Sequence, residues 1–156
     1  MQGIRAIGID STLAQQIRAS RRDVFGGMAE VWHAKESLLP CRHCLEEAPL
    51  DSTVLLVSYR PLAMDTPYAG RGPIFLCGHA CAAYEDFESV PKTVASRHVN
   101  LRAYTASGQM IYRHSRLAQG EQAGEQVSTM FEDDDVAEVH AHTALHGCYL
   151  CRFVRV

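Results

Sequence analysis

The sequence predicts an α+β domain in which a mainly antiparallel β-sheet of about seven or eight strands packs against two short helices. Three observations support this fold class: short apolar runs recur along the chain, only two stretches have helical spacing of apolar residues, and turn residues separate neighbouring runs. A chain of 156 residues suits one core. We therefore predict a single compact domain over residues 1–156, since no repeat or linker divides it.

Composition narrows the classes of partner. The formal net charge is -3, and its mixed signs form no basic stripe of the kind that nucleic acids require. No run is apolar enough to span a bilayer, and the N-terminus lacks a leader pattern. We expect a cytoplasmic protein that binds an unknown small molecule, with neither nucleic acid nor membrane as partner. Whether it is a monomer or a homodimer is left open.

The first half of the chain predicts three strands and one helix. An apolar stretch at residues 4–9 predicts a strand. Asp10, Ser11 and Thr12 then offer N-caps for a helix, and Thr12 and Gln15 are spaced as a capping box. Residues 28–36 alternate with the period of a strand. The continuous apolar run at residues 53–59 predicts a strand that is buried on both faces.

The middle of the chain predicts a long loop and a hairpin. Two prolines and two glycines disfavour regular structure at residues 64–73, after which residues 74–77 return to the sheet. Residues 97–105 and 109–114 flank a Ser-Gly pair that can supply the positive φ angles of a tight turn. We expect these two segments to pair.

The last third of the chain predicts the second helix and two strands. Apolar residues within 120–131 are spaced for one helical stripe, and the acidic run at 132–135 closes that helix. Residues 136–143 and 148–156 complete the sheet. The intervening region is rich in metal-ligating side chains, since residues 140–151 hold three of the eight histidines and two of the six cysteines.

A polar cluster is predicted on this last strand pair. His140 and His142 share one strand face. If residues 144–147 form a four-residue loop, Tyr149 lies opposite His142 and Cys151 lies opposite His140. The register is an assumption, because a slip of one residue would bring Cys148 into the cluster instead.

Two Cys-x-x-Cys pairs indicate a metal site. Cys41 and Cys44 lie in a predicted loop and can chelate one ion, as thiolates at this spacing do in zinc sites. Cys148 and Cys151 lie on a predicted strand, where residues three apart face opposite sides, so at most one of them can join. The predicted ligand set is Cys41, Cys44, His140 and Cys151, and zinc is the expected metal.

Other interpretations of the cysteines remain open. The segment Cys77-Gly78-His79-Ala80-Cys81 adds two sulfurs and a nitrogen, with a glycine that permits a bend, but its role is ambiguous. All six cysteines could instead be free thiols that bind no metal, since free cysteine is commonly buried. A redox pair is disfavoured because no helix pattern follows Cys44.

No catalytic residue can be assigned. The sequence contains no nucleophile elbow, phosphate loop or dinucleotide fingerprint. A metal-assisted hydrolase, or an acid-base enzyme that uses Cys148 with His140 or His142, is the alternative to a binding domain. Arg102 and Tyr104 share a predicted strand face with Arg113 on the partner strand, where a small anion could bind, although exposed strand arginines are the simpler interpretation.

Several segments in order resemble the bacterial domain of unknown function 1203 family, from about residue 28 to the end. They are Pro40-Cys41-Arg42-His43-Cys44-Leu45, Ser58-Tyr59-Arg60-Pro61, Thr66-Pro67-Tyr68, Gly72-Pro73-Ile74-Phe75, Leu101-Arg102-Ala103-Tyr104, Val139-His140-Ala141-His142 and His146-Gly147-Cys148-Tyr149. The resemblance implies no activity.

The resemblance does imply which positions recur in the family. These are Cys41, Arg42, Pro67, Tyr68, Arg102, His140, His142, Gly147, Cys148 and Tyr149. The second cysteine of each pair is often another residue, which argues against a four-cysteine zinc site shared by the whole family. Thr143 stands at a position where the resemblance implies asparagine. The resemblance therefore implies a ligand pocket near Cys41 and Cys148, formed by Tyr68, Arg102, His140, His142 and Tyr149.

Overall fold

The strands of this protein form two antiparallel sheets. The structure is a computed structural model that describes residues 3–35 and 39–156. Its strands are β1 (Ile4–Ile7), β2 (Glu30–His33), β3 (Thr53–Tyr59), β4 (Gly72–Cys77), β5 (His98–Tyr104), β6 (Arg116–Gln119), β7 (Glu138–Thr143) and β8 (Tyr149–Arg155). Its α-helices are α1 (Ser11–Ser20), α2 (Lys92–Ala95) and α3 (Ala123–Met130).

The predicted α+β class is confirmed, but the strands divide between two sheets. The larger sheet has the order β1-β8-β7-β5-β6, and the smaller has the order β2-β3-β4. The apolar side chains of β3 and β4 are buried in a core that they share with α1. Within the described ranges, every helix is too short or too polar to cross a bilayer.

Two apolar cores flank the larger sheet. One face of β7, with Val139 and Ala141, packs with Val127 and Phe131 of the α3 segment. The second core joins α1 to the smaller sheet and includes Tyr149 from β8. The side chains of β7 that face away from α3, His140 and His142, therefore point toward the smaller sheet.

The structure refines two N-terminal predictions. Of the three predicted N-caps, Asp10 caps α1, because its side chain accepts a hydrogen bond from the amide of Leu13 at 3.1 Å. The strand predicted at residues 28–36 is shorter, since β2 ends at His33, and Glu36 lies outside the described residues.

The predicted hairpin forms only at its turn and at the residues next to it. The amide of Gly108, at a φ of 79°, donates to the carbonyl of Thr105 at 2.9 Å. Beyond an isolated bridge between Tyr104 and Met110, the second arm becomes a 3-10 helix at Tyr112–His114. Strand β5 instead pairs with β6 and β7.

The register of β7 and β8 is shifted by a bulge. His142 lies opposite Tyr149, as predicted, but the register changes between Ala141 and His142. The predicted pairing of His140 with Cys151 was therefore wrong, because Cys151 lies opposite Ala141. Cys151 is consequently buried in the core beside α3, on the other face of the sheet from the histidines.

Candidate metal centre and inter-sheet pocket

Four cysteines from two separate segments come together at one end of the smaller sheet. The Sγ atoms of Cys41, Cys44, Cys77 and Cys81 all lie within 4.8 Å of one another. The Sγ atoms of Cys41 and Cys81 are 3.9 Å apart. Cys41 and Cys77 are buried, whereas Cys44 and Cys81 are partly exposed, and all four are free thiols.

A tight turn presents the first two cysteines. The amide of Cys41 donates to the carbonyl of Glu46 at 3.0 Å, and the amide of Leu45 donates to the carbonyl of Cys41 at 3.0 Å. Leu45 adopts the left-handed region at a φ of 55°. The turn brings the sulfurs of Cys41 and Cys44 to the same side. Both cysteines therefore lie in a loop, as predicted, where they can bind one ion.

A second turn at the end of β4 presents the other two cysteines. The amide of Gly78 donates to the carbonyl of Thr53 at 2.8 Å, and a Cβ at this position would lie 2.9 Å from that carbonyl oxygen. Glycine is therefore needed where the chain leaves the sheet between Cys77 and Cys81. The amide of Cys77 also donates to Cys41 Sγ at 3.3 Å, which ties the two turns together.

Hydrogen-bond donors surround the sulfur of Cys81. The guanidinium of Arg18 donates to Cys81 Sγ at 3.0 Å and to the carbonyl of Cys77 at 2.9 Å. His43 Nδ1 lies 3.2 Å from the same sulfur, and its Nε2 lies 2.9 Å from Ser11 Oγ. In this arrangement the imidazole can accept from Ser11 Oγ and donate from Nδ1 to the sulfur of Cys81.

The close approach of the thiols separates their pKa values. Hydrogen bonds from Cys44 and Cys77 lower the pKa of Cys41 to about 6. Hydrogen bonds from Cys41, Cys44, Cys77 and His43 also lower the pKa of Cys81. The pKa values of Cys44 and Cys77 are raised, chiefly by their hydrogen bonds to Cys41. Two of the four thiols, Cys41 and Cys81, therefore favour the thiolate, which is the form that binds metals.

The predicted metal ligands fall into two different places. Cys41 and Cys44 belong to the four-cysteine cluster, whereas His140 and Cys151 lie outside it among the described residues. Burial raises the pKa of Cys151 to about 12 in the apolar core. Sequence reasoning left the 77–81 segment unassigned, and the glycine between its two cysteines was the signal that could have identified it.

The five predicted ligand-binding residues line one cavity. The cavity has a volume of about 260 Å³ and lies between the two sheets. Strands β5, β7 and β8 contribute one wall, and β3, β4 and the loop that joins them contribute the other. Its lining includes all five residues, namely Tyr68, Arg102, His140, His142 and Tyr149.

His142 presents an unused hydrogen-bond acceptor at this cavity. Its Nδ1 lies 3.0 Å from the carbonyl of Gly147, which can only accept, so Nδ1 carries the proton. Burial, followed by the charge of Arg102, lowers the pKa of His142 to about 3. Nε2 is then an unprotonated acceptor, and it is buried with no hydrogen-bond partner among the described residues.

His140 is held by a different network. Its Nε2 lies 3.0 Å from Glu138 Oε1, and Glu138 Oε2 accepts from Arg152 at 3.1 Å. Its ring also packs against Tyr104, with the ring centroids 4.7 Å apart. His140 therefore shapes the cavity wall, and Glu138 is occupied by two partners.

The charged side chains that line the cavity are cationic. The charged residues of the lining are Arg71 and Arg102, and the lining includes no Asp or Glu from the part of the chain that the structure describes. Arg102 lies opposite His140 in the paired strands and interacts with the hydroxyl of Tyr104. Arg113 was predicted to lie beside Arg102 on a partner strand. It instead forms an ion pair with Asp133 and does not line this cavity.

The thiol of Cys148 lies at the edge of the cavity. Its only hydrogen-bond acceptor among the described residues is the carbonyl of His146, at 3.9 Å. No histidine ring hydrogen-bonds to this sulfur within residues 3–35 and 39–156. The geometry thus provides no paired base that would activate Cys148 as a nucleophile.

Comparison with known proteins identifies a family without an assigned activity. A family model described as "Protein of unknown function (DUF1203)" matches residues 39–155. No curated protein matches the chain. No solved structure matches it either.

Proposed function

Since the chain belongs to the DUF1203 family, whose description states no activity, we propose from its geometry that it is a zinc-binding domain in which Cys41, Cys44, Cys77 and Cys81 hold one structural Zn²⁺ ion. The observation that carries this proposal is the convergence of four Sγ atoms within 4.8 Å.

The sulfur separations match a tetrahedral site. With Zn–S bonds of about 2.3 Å, the corners of a tetrahedron lie roughly 3.8 Å apart. The Sγ atoms of Cys41 and Cys81 are already 3.9 Å apart. Small side-chain rotations would bring the remaining sulfurs to the same spacing. Four thiolates select zinc among the common redox-inert metals.

The surroundings compensate the charge of such a site. Four thiolates and one Zn²⁺ ion carry a net charge of about -2. The guanidinium of Arg18 and the imidazole N–H of His43 both point at Cys81 Sγ. The backbone amide of Cys77 points at Cys41 Sγ. These donors spread the excess charge and orient the ligands.

The chemistry of the donor set favours a structural role over catalysis. A catalytic zinc keeps an open coordination position for water or substrate, whereas four protein thiolates close the coordination sphere. The ion would tie the loop that follows residue 39 to the end of β4. It would thereby hold the segment at 77–81 against α1, where Arg18 already contacts both Cys77 and Cys81.

Elemental analysis of the full chain, purified without nickel affinity and without added metal, tests the proposal. We expect about one zinc per chain. Chelator should remove the zinc and lower the melting temperature, because metal binding contributes to folding free energy. Cobalt substitution provides a second readout on the unaltered protein, since tetrahedral thiolate coordination produces intense visible absorption bands.

Cysteine variants identify the ligands. Cys77→Ser should lose zinc, whereas the matched control Cys148→Ser should retain it, because Cys148 lies outside the four-cysteine cluster. His140→Gln should also retain it. Loss of zinc from His140→Gln with retention in Cys77→Ser would contradict the proposal in favour of the ligand set predicted from sequence. Iron as the main metal, or metal-free protein with six titratable thiols, would also overturn it.

A further inference from the structure

The geometry points to a second site: we propose that the cavity between the two sheets binds a small organic acid that also carries a hydroxyl or N–H group. Its carboxylate would pair with Arg102, and its donor group would bond to Nε2 of His142. This site uses none of the four clustered cysteines, so it stands or falls independently of the zinc proposal.

The charge of the cavity selects an anion. Arg102 is cationic, and no carboxylate lies within ion-pair distance of it among the described residues. Glu138, the acidic residue of neighbouring β7, is engaged by His140 and Arg152. A guanidinium without an internal carboxylate offers two parallel N–H donors, which match the two oxygens of a ligand carboxylate.

The ring of His142 requires a donor on the ligand. A buried acceptor without a partner costs free energy, and such groups are normally satisfied in folded proteins. His142 is only 7% exposed, and its Nε2 has no partner within the described residues. The proton on Nδ1 is committed to the carbonyl of Gly147. A ligand hydroxyl or N–H would complete the hydrogen bonding of this ring.

The walls of the cavity fit a compact apolar body between these two polar groups. Pro61, Leu62 and Ile74 contribute aliphatic surface, and Tyr59 and Tyr149 contribute aromatic rings whose centroids are 5.7 Å apart. The volume of about 260 Å³ accommodates a small metabolite.

A carboxylate fits this lining better than a phosphate. Backbone N–H groups at the start of a helix form a common type of phosphate site. None of the residues that line this cavity begins a helix. The guanidinium of Arg71 is drawn toward the ring of Phe25, with Cζ 4.6 Å from the ring centroid, which leaves Arg102 as the principal anion partner.

Titration of the full chain, as purified and with its zinc content measured, with small acids tests this proposal. Calorimetry and amide NMR shifts would be recorded with 4-hydroxybenzoate, 4-hydroxyphenylacetate, lactate and malate. We expect at least one to bind at a 1:1 ratio. Its neutral amide should bind at least about tenfold more weakly, because hydrogen bonds to charged groups are worth more than neutral ones. An analogue without the hydroxyl, such as benzoate for 4-hydroxybenzoate, should also bind more weakly.

Variants then assign the contacts. Arg102→Gln should weaken binding of the acid by at least about tenfold, whereas Arg113→Gln, which removes the same charge outside the cavity, should not. His142→Phe should remove the preference for the hydroxylated acid over its analogue. Melting curves check that each variant is folded, and the comparison of acid with amide needs no variant at all.

Distinct outcomes would overturn the proposal. One is that none of the four acids binds the unaltered protein, and another is that the amide binds as tightly as the acid. Tighter binding of inorganic phosphate than of any acid would assign the cavity to a different ligand class. Equal binding by folded Arg102→Gln would exclude the assigned anion partner. Zinc content, measured on the same samples, shows whether a failure here is separate from failure of the metal site.

Discussion

The guanidinium of Arg42 donates from Nε to the carbonyl oxygen of Tyr149 at 2.7 Å. The same side chain donates to the carbonyl of Pro40 at 2.6 Å and is only 2% exposed. Although burial lowers the pKa of Arg42 to about 10, the group remains charged at neutral pH. Arg42 thus connects the cysteine loop to the strand that forms one wall of the inter-sheet cavity.

Replacement of Arg42 should be costly. Arg42→Met leaves two carbonyl oxygens without their donor, so we expect the free energy of unfolding to fall by about 2–4 kcal/mol. Chemical denaturation measures this change. Arg60→Met is a suitable control, because Arg60 contacts the carbonyl of Ala63 from an exposed position, and its effect should stay within about 0.5 kcal/mol. Equal free energies of unfolding for the two variants would show that the hydrogen bonds of Arg42 contribute little to stability.

Arg18 should tune zinc affinity without being a ligand. Arg18→Gln removes the donor at 3.0 Å from Cys81 Sγ. We expect zinc affinity to fall about 10–100-fold, the usual effect of removing a partner that orients a metal ligand. Competition with a chromophoric chelator measures the affinity. In the control Arg22→Gln, the lost bond is to the carbonyl of Gly26, and affinity should not change. An unchanged affinity in Arg18→Gln would contradict this role.

His142 should make the fold less stable in mild acid. Its pKa is about 3 in the folded protein, against 6.5 for an ordinary histidine. Below about pH 6.5 the unfolded chain therefore binds a proton that the folded chain excludes, and stability is lost as the pH falls toward 3. Between about pH 8 and pH 5 the contribution of this one group amounts to about 2 kcal/mol.

The pH effect is measured as a difference between two proteins. Denaturation of the unaltered chain and of His142→Phe over this range removes effects that both share, including any loss of metal in acid. The unaltered chain should lose about 2 kcal/mol more than the variant. Parallel pH profiles would mean that His142 titrates normally in the folded state.

Much of the architecture follows from local pattern. The apolar run at Thr53–Tyr59 has the bounds of β3 as predicted, because a strand buried on both faces needs an uninterrupted apolar segment. The alternation along β7 likewise placed His140 and His142 on one face. These features depend on the spacing of neighbouring side chains, which the sequence records directly.

The clustering of Cys41, Cys44, Cys77 and Cys81 depends on the tertiary structure. Cys41 and Cys77 are 36 positions apart, and only the packing of the loop against β4 brings their sulfurs together. A bulge between Ala141 and His142 turned Cys151 into the core, and a bulge leaves no clear mark in a sequence. The sequence by itself determined most of the strands, the loop position of Cys41 and Cys44 and the face of the histidines. Only the tertiary structure decided which distant groups meet, because such contacts depend on register and on the stacking of two sheets.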